Sequence, residues 1–273
     1  MLAVVGLLLG AIGAALFDRP LLVPVPQVHL APQPVTTVGG FEITNTLLSA
    51  WLTTLVIVLL FGLGARQAKL VPGRLQGLVE LLIDGLFGFI KSIAGERHAR
   101  AFFPILATIF IFVAFNAWMA LLPFYPTVGF KADGSDEVTT HLFRSAATDI
   151  NMPLALAIIS FLFVEIWGFK AHRFGYMREF IRFGSPIQFG IGILELISHF
   201  IRLISFTFRL FGNMLAGEIV LFMMTFLLIF IAPIAFYFLE ILVGGVQALI
   251  FMGLSLVFAS MAVAPHEGHK EEH

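Results

Sequence analysis

Residues Glu195–Glu218 read ELISHFIRLISFTFRLFGNMLAGE. The stretch lies in a long apolar run, yet it carries Glu195, Arg202, Arg209 and Glu218. A charge at the centre of a bilayer costs roughly 2.5–3.5 kcal/mol by insertion scales, so it needs a partner or a task. On a helix of ~3.6 residues per turn, Glu195, Ser198, Arg202, Ser205, Arg209 and Asn213 recur at steps of three and four. They form one polar stripe. Ala216 and Gly217 continue it with small residues that let another helix come close. Glu218 falls on the opposite face, about 13 Å further along at ~1.5 Å per residue.

Composition sets the class. Of 273 residues, 59% are hydrophobic and 12% charged, against about 25% charged in soluble domains. Mean hydropathy is +0.98. Several long apolar runs predict an all-α polytopic membrane protein. We expect about five transmembrane helices plus an interfacial amphipathic helix, since a barrel shows alternating segments of ~10 residues. The net charge of −1 suggests no nucleic-acid partner. Without cysteine there are no disulfides and no thiolate chemistry.

Residues 1–17 read as a leader or an extra helix. Residues 18–43 hold Pro20, Pro24, Pro26, Pro32 and Pro34. Proline at this density blocks helix, so the segment is expected to be an external linker. A single membrane domain then covers 44–263, with spans at about 44–65, 101–123, 149–167, 188–230 and 234–263. Between the first two spans, Leu78, Leu81, Leu82, Leu86 and Phe89 recur at helical spacing. They predict an amphipathic helix over about 74–94. Asn116 reads as a helix–helix hydrogen bond, worth about 0.6 kcal/mol on average in membranes. Residues 124–148 read as a polar loop, and Asp149 as a helix cap. Glu165 is expected to reach the interface. The last two arms run to about 64 and 45 Å at ~1.5 Å per residue, against a hydrocarbon core of ~30 Å. They are expected to lie obliquely. Residues 264–273 form a free charged tail.

Lys and Arg set orientation. Arg66–Arg100 holds six and Lys170–Arg182 four; the N-terminal linker holds one and Lys131–Arg144 two. The tail is therefore expected on the cytoplasmic side. Glu195 then lies toward the inside, Arg209 near mid-depth and Glu218 toward the outside. On the return arm Gln247 is expected level with Arg209, and Glu240 level with Glu218. Glu218 and Glu240 are expected to titrate as a coupled pair.

Arg209-Leu210-Phe211-Gly212-Asn213-Met214, followed by Ala216-Gly217-Glu218, resembles the signature of the a subunits of F-type ATP synthases. VPGRLQ at 71–76 is similar to that family as well. The resemblance implies a membrane stator beside a rotating ring of c subunits, held by b-type peripheral stalk subunits and surrounded by membrane lipid. It implies no catalytic centre in this chain, and an energy-transducing membrane such as the bacterial plasma membrane. Its matching positions are Glu195, Arg202, Arg209, Asn213, Glu218 and Gln247, with Glu240 where some members have His. It also places an acid such as Asp149 near the outer proton access. Acids at Glu218 and Glu240 are expected to line an outer aqueous half-channel. Glu195, Ser198 and His199 are expected to line an inner one. Arg209 separates them and meets the ring carboxylate. The ion is read as a proton, because nothing at the site looks like a sodium cage.

Plainer readings stand beside these. Arg202 fits a structural ion pair with Glu195 or a snorkelling group, and Ser198 and Ser205 fit back-bonds to the helix. His199 and Glu195 are too few ligands for a metal, and no metal or other cofactor is expected. His266, His269 and His273 belong to the solvated tail. A rival class is a stand-alone secondary transporter or channel binding an anion at Arg202 and Arg209. An intramembrane enzyme ranks last, since no H-E-x-x-H or G-x-S-x-G occurs in a span.

Overall fold

A computed structural model describes residues 31–66, 69, 72–125, 127–131, 138–173, 186–227 and 232–264. The 1–17 segment, the linker up to residue 30 and the tail histidines lie outside the described residues. In chain order come β1 (Pro34–Val38), β2 (Phe41–Thr44), α1 (Asn45–Arg66), α2 (Arg74–Ala120), β3 (Gly129–Lys131), β4 (Val138–His141), a short 3-10 turn (Ala146–Thr148), α3 (Asn151–His172), α4 (Pro186–Leu227) and α5 (Ala232–Val263). Among the described residues, five helices are long and apolar enough to cross a membrane. Helices suit that solvent because they satisfy every backbone polar group within the segment. The chain is an all-α polytopic membrane protein with two small β-ribbons.

The expected amphipathic helix and second span are one run of 47 residues, broken inside at Gly95. Gly95 sits at φ 70°, ψ 167°, a backbone state open to glycine and strained for other residues. The break falls where the amphipathic pattern gives way to a continuous apolar one. Other bounds also differ from expectation. The second span ends at Ala120 rather than Pro123, and α3 runs on through Lys170 to His172. The described end of the linker forms a ribbon in which β1 pairs antiparallel with β2. Its turn, Gly39-Gly40, has both φ positive, at 60° and 86°, as a tight two-residue hairpin turn requires.

The chain folds as two compact units. The first holds the described part of Met1–Thr53, with Val113–Asp149 and Leu210–Gln247. In it Asn45 ties the ribbon to the later loop. Asn45 Oδ1 accepts from the Gln33 N–H at 3.2 Å, and its Nδ2 donates to the His141 carbonyl at 3.3 Å. The Trp118 indole N–H donates to the Ile241 carbonyl at 3.0 Å. A Cβ built on Gly244 would lie 2.7 Å from Ala117, so α2 and α5 touch there through the missing side chain. The segment read as a polar loop is not solvated at its end: Arg144 through Asp149 are all buried.

The second unit holds Thr54–Phe112, Ile150–Arg209 and the chain from Ala248 on. Its core joins Ile90, Phe102 and Leu106 of α2 to Phe163 and Val164 of α3 and to Met252 and Leu256 of α5. Phe102 meets Phe163 and Trp167 edge-on, with centroids 5.4 and 5.0 Å apart. The Ser160 and Ser255 hydroxyls, fully buried, bond to each other at 2.5 Å. We expect Gly95→Ala to cost about 1–3 kcal/mol through backbone strain. A lowered unfolding temperature of the detergent-purified protein checks this.

Candidate functional site

The first unit contains an open cavity of about 140 Å³, walled in part by Tyr125, His141, Arg144, Glu218, Tyr237 and Glu240. Arg144 arrives on the buried segment after β4 and is only 8% exposed. Its Nε donates to Glu218 Oε1 at 3.1 Å and Oε2 at 3.3 Å, and its Nη2 to Oε2 at 3.1 Å. Nη1 donates to the Ala31 carbonyl at 3.2 Å, and the Arg144 backbone N–H to Ser49 Oγ at 3.0 Å. A guanidinium fork on a carboxylate is a strong and directional ion pair. Tyr125 is also buried. Burial pushes its phenol above the usual range, against a smaller opposite pull from the Ser49 and Thr53 hydroxyls. It enters the cavity as a neutral group. The charged members are Arg144, Glu218 and Glu240.

The two acids predicted to form a pair line this one cavity, on α4 and α5. Glu218, however, is turned to Arg144. Glu240 has its carboxyl in the space where Gly217 lacks a side chain, and a Cβ there would collide with it. Among the described residues no hydrogen bond reaches Glu240. Gln247 was expected level with Arg209. It is 2% exposed, and its Oε1 accepts from Asn213 Nδ2, one turn beyond Arg209 in sequence, at 2.6 Å. The Nε2 of Gln247 is buried without a partner. The Asp149 carboxylate accepts from Thr46 Oγ1 at 3.0 Å through Oδ2, just before Ile150, the N-cap position of α3.

The second unit holds the polar stripe from Glu195 to Arg209. Arg209, half-buried, donates from Nη2 to Ser205 Oγ at 3.3 Å and lies 5.7 Å from the Phe206 ring centroid. Among the described residues it forms no ion pair. Arg202 was read as an ion-pair partner of Glu195 or a snorkelling group. Its guanidinium stacks on Phe258, 3.7 Å from the ring centroid, a contact favoured by the ring quadrupole. His199 is buried between two acids, with Nδ1 2.7 Å from Glu165 Oε1 and Nε2 3.9 Å from Glu195 Oε1. Glu165, at 14% side-chain exposure, is held by this imidazole. Glu195 and Ser198 are exposed. Among the described residues, no cluster of three or more His, Cys, Asp or Glu is placed to hold a metal.

Reasoning from sequence missed two functional neighbours. Arg144 lies 74 residues from Glu218, and Glu165 lies 34 from His199. The signal available for each was a charge next to an apolar span.

Fold and site together define an integral membrane protein that keeps ionised groups along two of its spanning helices. The chain belongs to the ATP synthase A chain family, whose model matches residues 47–260. This is the family that the RLFGN string resembles. It is similar to ATP synthase subunit a of Gloeobacter violaceus, 31% identical over 262 residues covering 94% of this chain and 98% of that one. To ATP synthase subunit a 3 of Pelobacter propionicus it is 34% identical, covering 84% and 90% of the two chains. To ATP synthase subunit a of Desulfosudis oleivorans it is 36% identical, covering 78% and 85%. Membership makes the chain a transport subunit of the synthase's membrane sector.

Replacing His199 by Leu would leave Glu165 buried without its partner, at a cost of about 1–3 kcal/mol. His199→Gln keeps a donor and should lose less. Thermal unfolding of the two purified variants checks the order.

Proposed function

We propose that this chain is the proton-translocating subunit of the Fo sector, carrying two offset aqueous half-channels and a central arginine that serves the carboxylates of a rotating c-ring. The outer half-channel is the cavity walled by Glu218 and Glu240, with Asp149, Asn213 and Gln247 nearby in the same unit. The inner one is lined by Glu195, Ser198 and His199, with Glu165 behind the imidazole. A proton enters on one side, neutralises a ring carboxylate, and leaves on the other after the ring has turned. Coupled to the rest of the enzyme, that turning drives ATP synthesis. The C-terminus faces the cytoplasm of a bacterial plasma membrane, and b-type stalk subunits hold the chain against the ring.

The observation that carries this reading is the state of Arg209. Its polar contact is a serine hydroxyl, and no acid of the described chain answers its charge. Around it in the same unit Leu194, Phe200, Ile201, Ile204 and Phe208 are exposed, as on a helix that slides against another apolar surface. A guanidinium cannot be deprotonated in proteins, so it relays no proton. It can hold a passing carboxylate ionised, because a nearby opposite charge favours the charged form. It also repels a proton that would leak straight across. Ser205 and Phe206 hold it in place on its own helix. Arg202 stacks on Phe258 and takes a packing role in this scheme. That stack counts against the rival anion carrier, which needs both arginines turned to one ligand.

Arg209→Ala should abolish both ATP synthesis and ATP-driven proton pumping in membrane vesicles while the complex still assembles. Retention of proton-driven synthesis would overturn the assignment. Detergent purification should also bring down a ring of small helical-hairpin subunits and a soluble ATPase.

A further inference from the structure

We propose that Arg144 is a positioning residue for proton uptake. Its guanidinium holds Glu218 as the fixed anion of the cavity and leaves Glu240 as the carboxyl that receives and releases the proton. This rests on placing the outer half-channel at that cavity.

Arg144 is built in rather than draped over the surface. It is more than nine-tenths buried, and its side chain is held by Glu218 and by the Ala31 carbonyl. Its backbone is held by Ser49. The titratable and charged groups facing the cavity are Tyr125, His141, Arg144, Glu218, Tyr237 and Glu240. Among them Arg144 is the fixed cation. It serves one acid and not the other. Both Glu218 oxygens accept from it, so a proton bound for Glu218 has to break a charge-assisted hydrogen bond. A proton bound for Glu240 displaces no hydrogen bond among the described residues. Two carboxylates of one cavity are thereby given unlike tasks, one structural and one exchanging.

The exchange balances simply. A carboxylate oxygen of Glu240 takes a proton from water on the outer side, then gives it to the ring carboxylate and returns to the anion. No other bond is made or broken. Glu218 keeps its charge throughout, matched by Arg144, so the cavity alternates between one uncompensated anion and none.

The test uses the assembled complex in inverted vesicles, with amounts matched by immunoblot. Passive proton conduction is read against pH after removal of the soluble ATPase. Arg144→Gln strands the Glu218 charge and should lower conduction roughly tenfold or more and change its pH dependence. Arg144→Lys, which keeps the charge, should recover most of it. The double variant R144Q/E218Q removes both charges and should conduct better than R144Q alone. Glu240→Gln should block conduction in both the parent and the R144Q/E218Q background. If R144Q fails to assemble, the lysine variant and the double variant carry the test. The proposal is overturned if the double variant is no better than R144Q, or if the pH profile of R144Q is that of the parent. It is equally overturned if Glu240→Gln conducts like the parent while Glu218→Gln does not. If neither acid matters while Arg209→Ala still abolishes proton-driven ATP synthesis in the intact complex, it is the half-channel placement that fails.

Discussion

The contact between Arg144 and Glu218 is the constraint from which most of the first unit follows. Neither charge is tolerable alone at such burial, since removing one partner of a buried pair leaves the other uncompensated. To bring the guanidinium there, the segment after β4 must turn inward, and its backbone groups must be satisfied away from water. Ser49 and Asn45 of α1 do this, bonding to the Arg144 N–H and the His141 carbonyl. Glu218, once facing Arg144, leaves Gly217 toward α5. The Glu240 carboxyl fills the space so created.

Arg209 shows the opposite solution. It carries the same charge but lacks a carboxylate among the described residues. A hydroxyl and a ring face orient a guanidinium without neutralising it. In a bilayer such a group is costly, and the cost is met only if something outside the chain supplies the anion. α4 is also the least covered of the five helices, with 17% of its apolar window buried against 50% for α2. An arginine without a carboxylate partner among the described residues, on a poorly covered helix, is what the proposed stator role would use, with counter-charges arriving in turn on a moving neighbour.

Much of this was legible in the residues. The five spans follow from apolar runs, and the stripe from Glu195 to Asn213 follows from helical spacing. The change from an amphipathic to a continuous pattern near residue 94 located the break in α2, although not the joining of its two parts around Gly95. The partners of the charges were less legible. Arg144 shares its loop with Lys131, Asp133, Asp136 and Glu137, a composition that reads as solvated. Nothing local distinguishes the one charge that turns inward. Glu165 near the end of α3 looked interfacial for the same reason. Arg202 was assigned by charge to Glu195, whereas the aromatic ring that takes it lies 56 residues on.

Direction of synthesis gives the Arg144–Glu218 pair one more meaning. The chain is made from its N-terminus, so the guanidinium is already waiting when the ribosome delivers the acid that it will hold. Late helix α4 need not carry a naked anion into the bilayer unaided. Its arrival can be chaperoned by a cation that the earlier part of the same molecule has put in place.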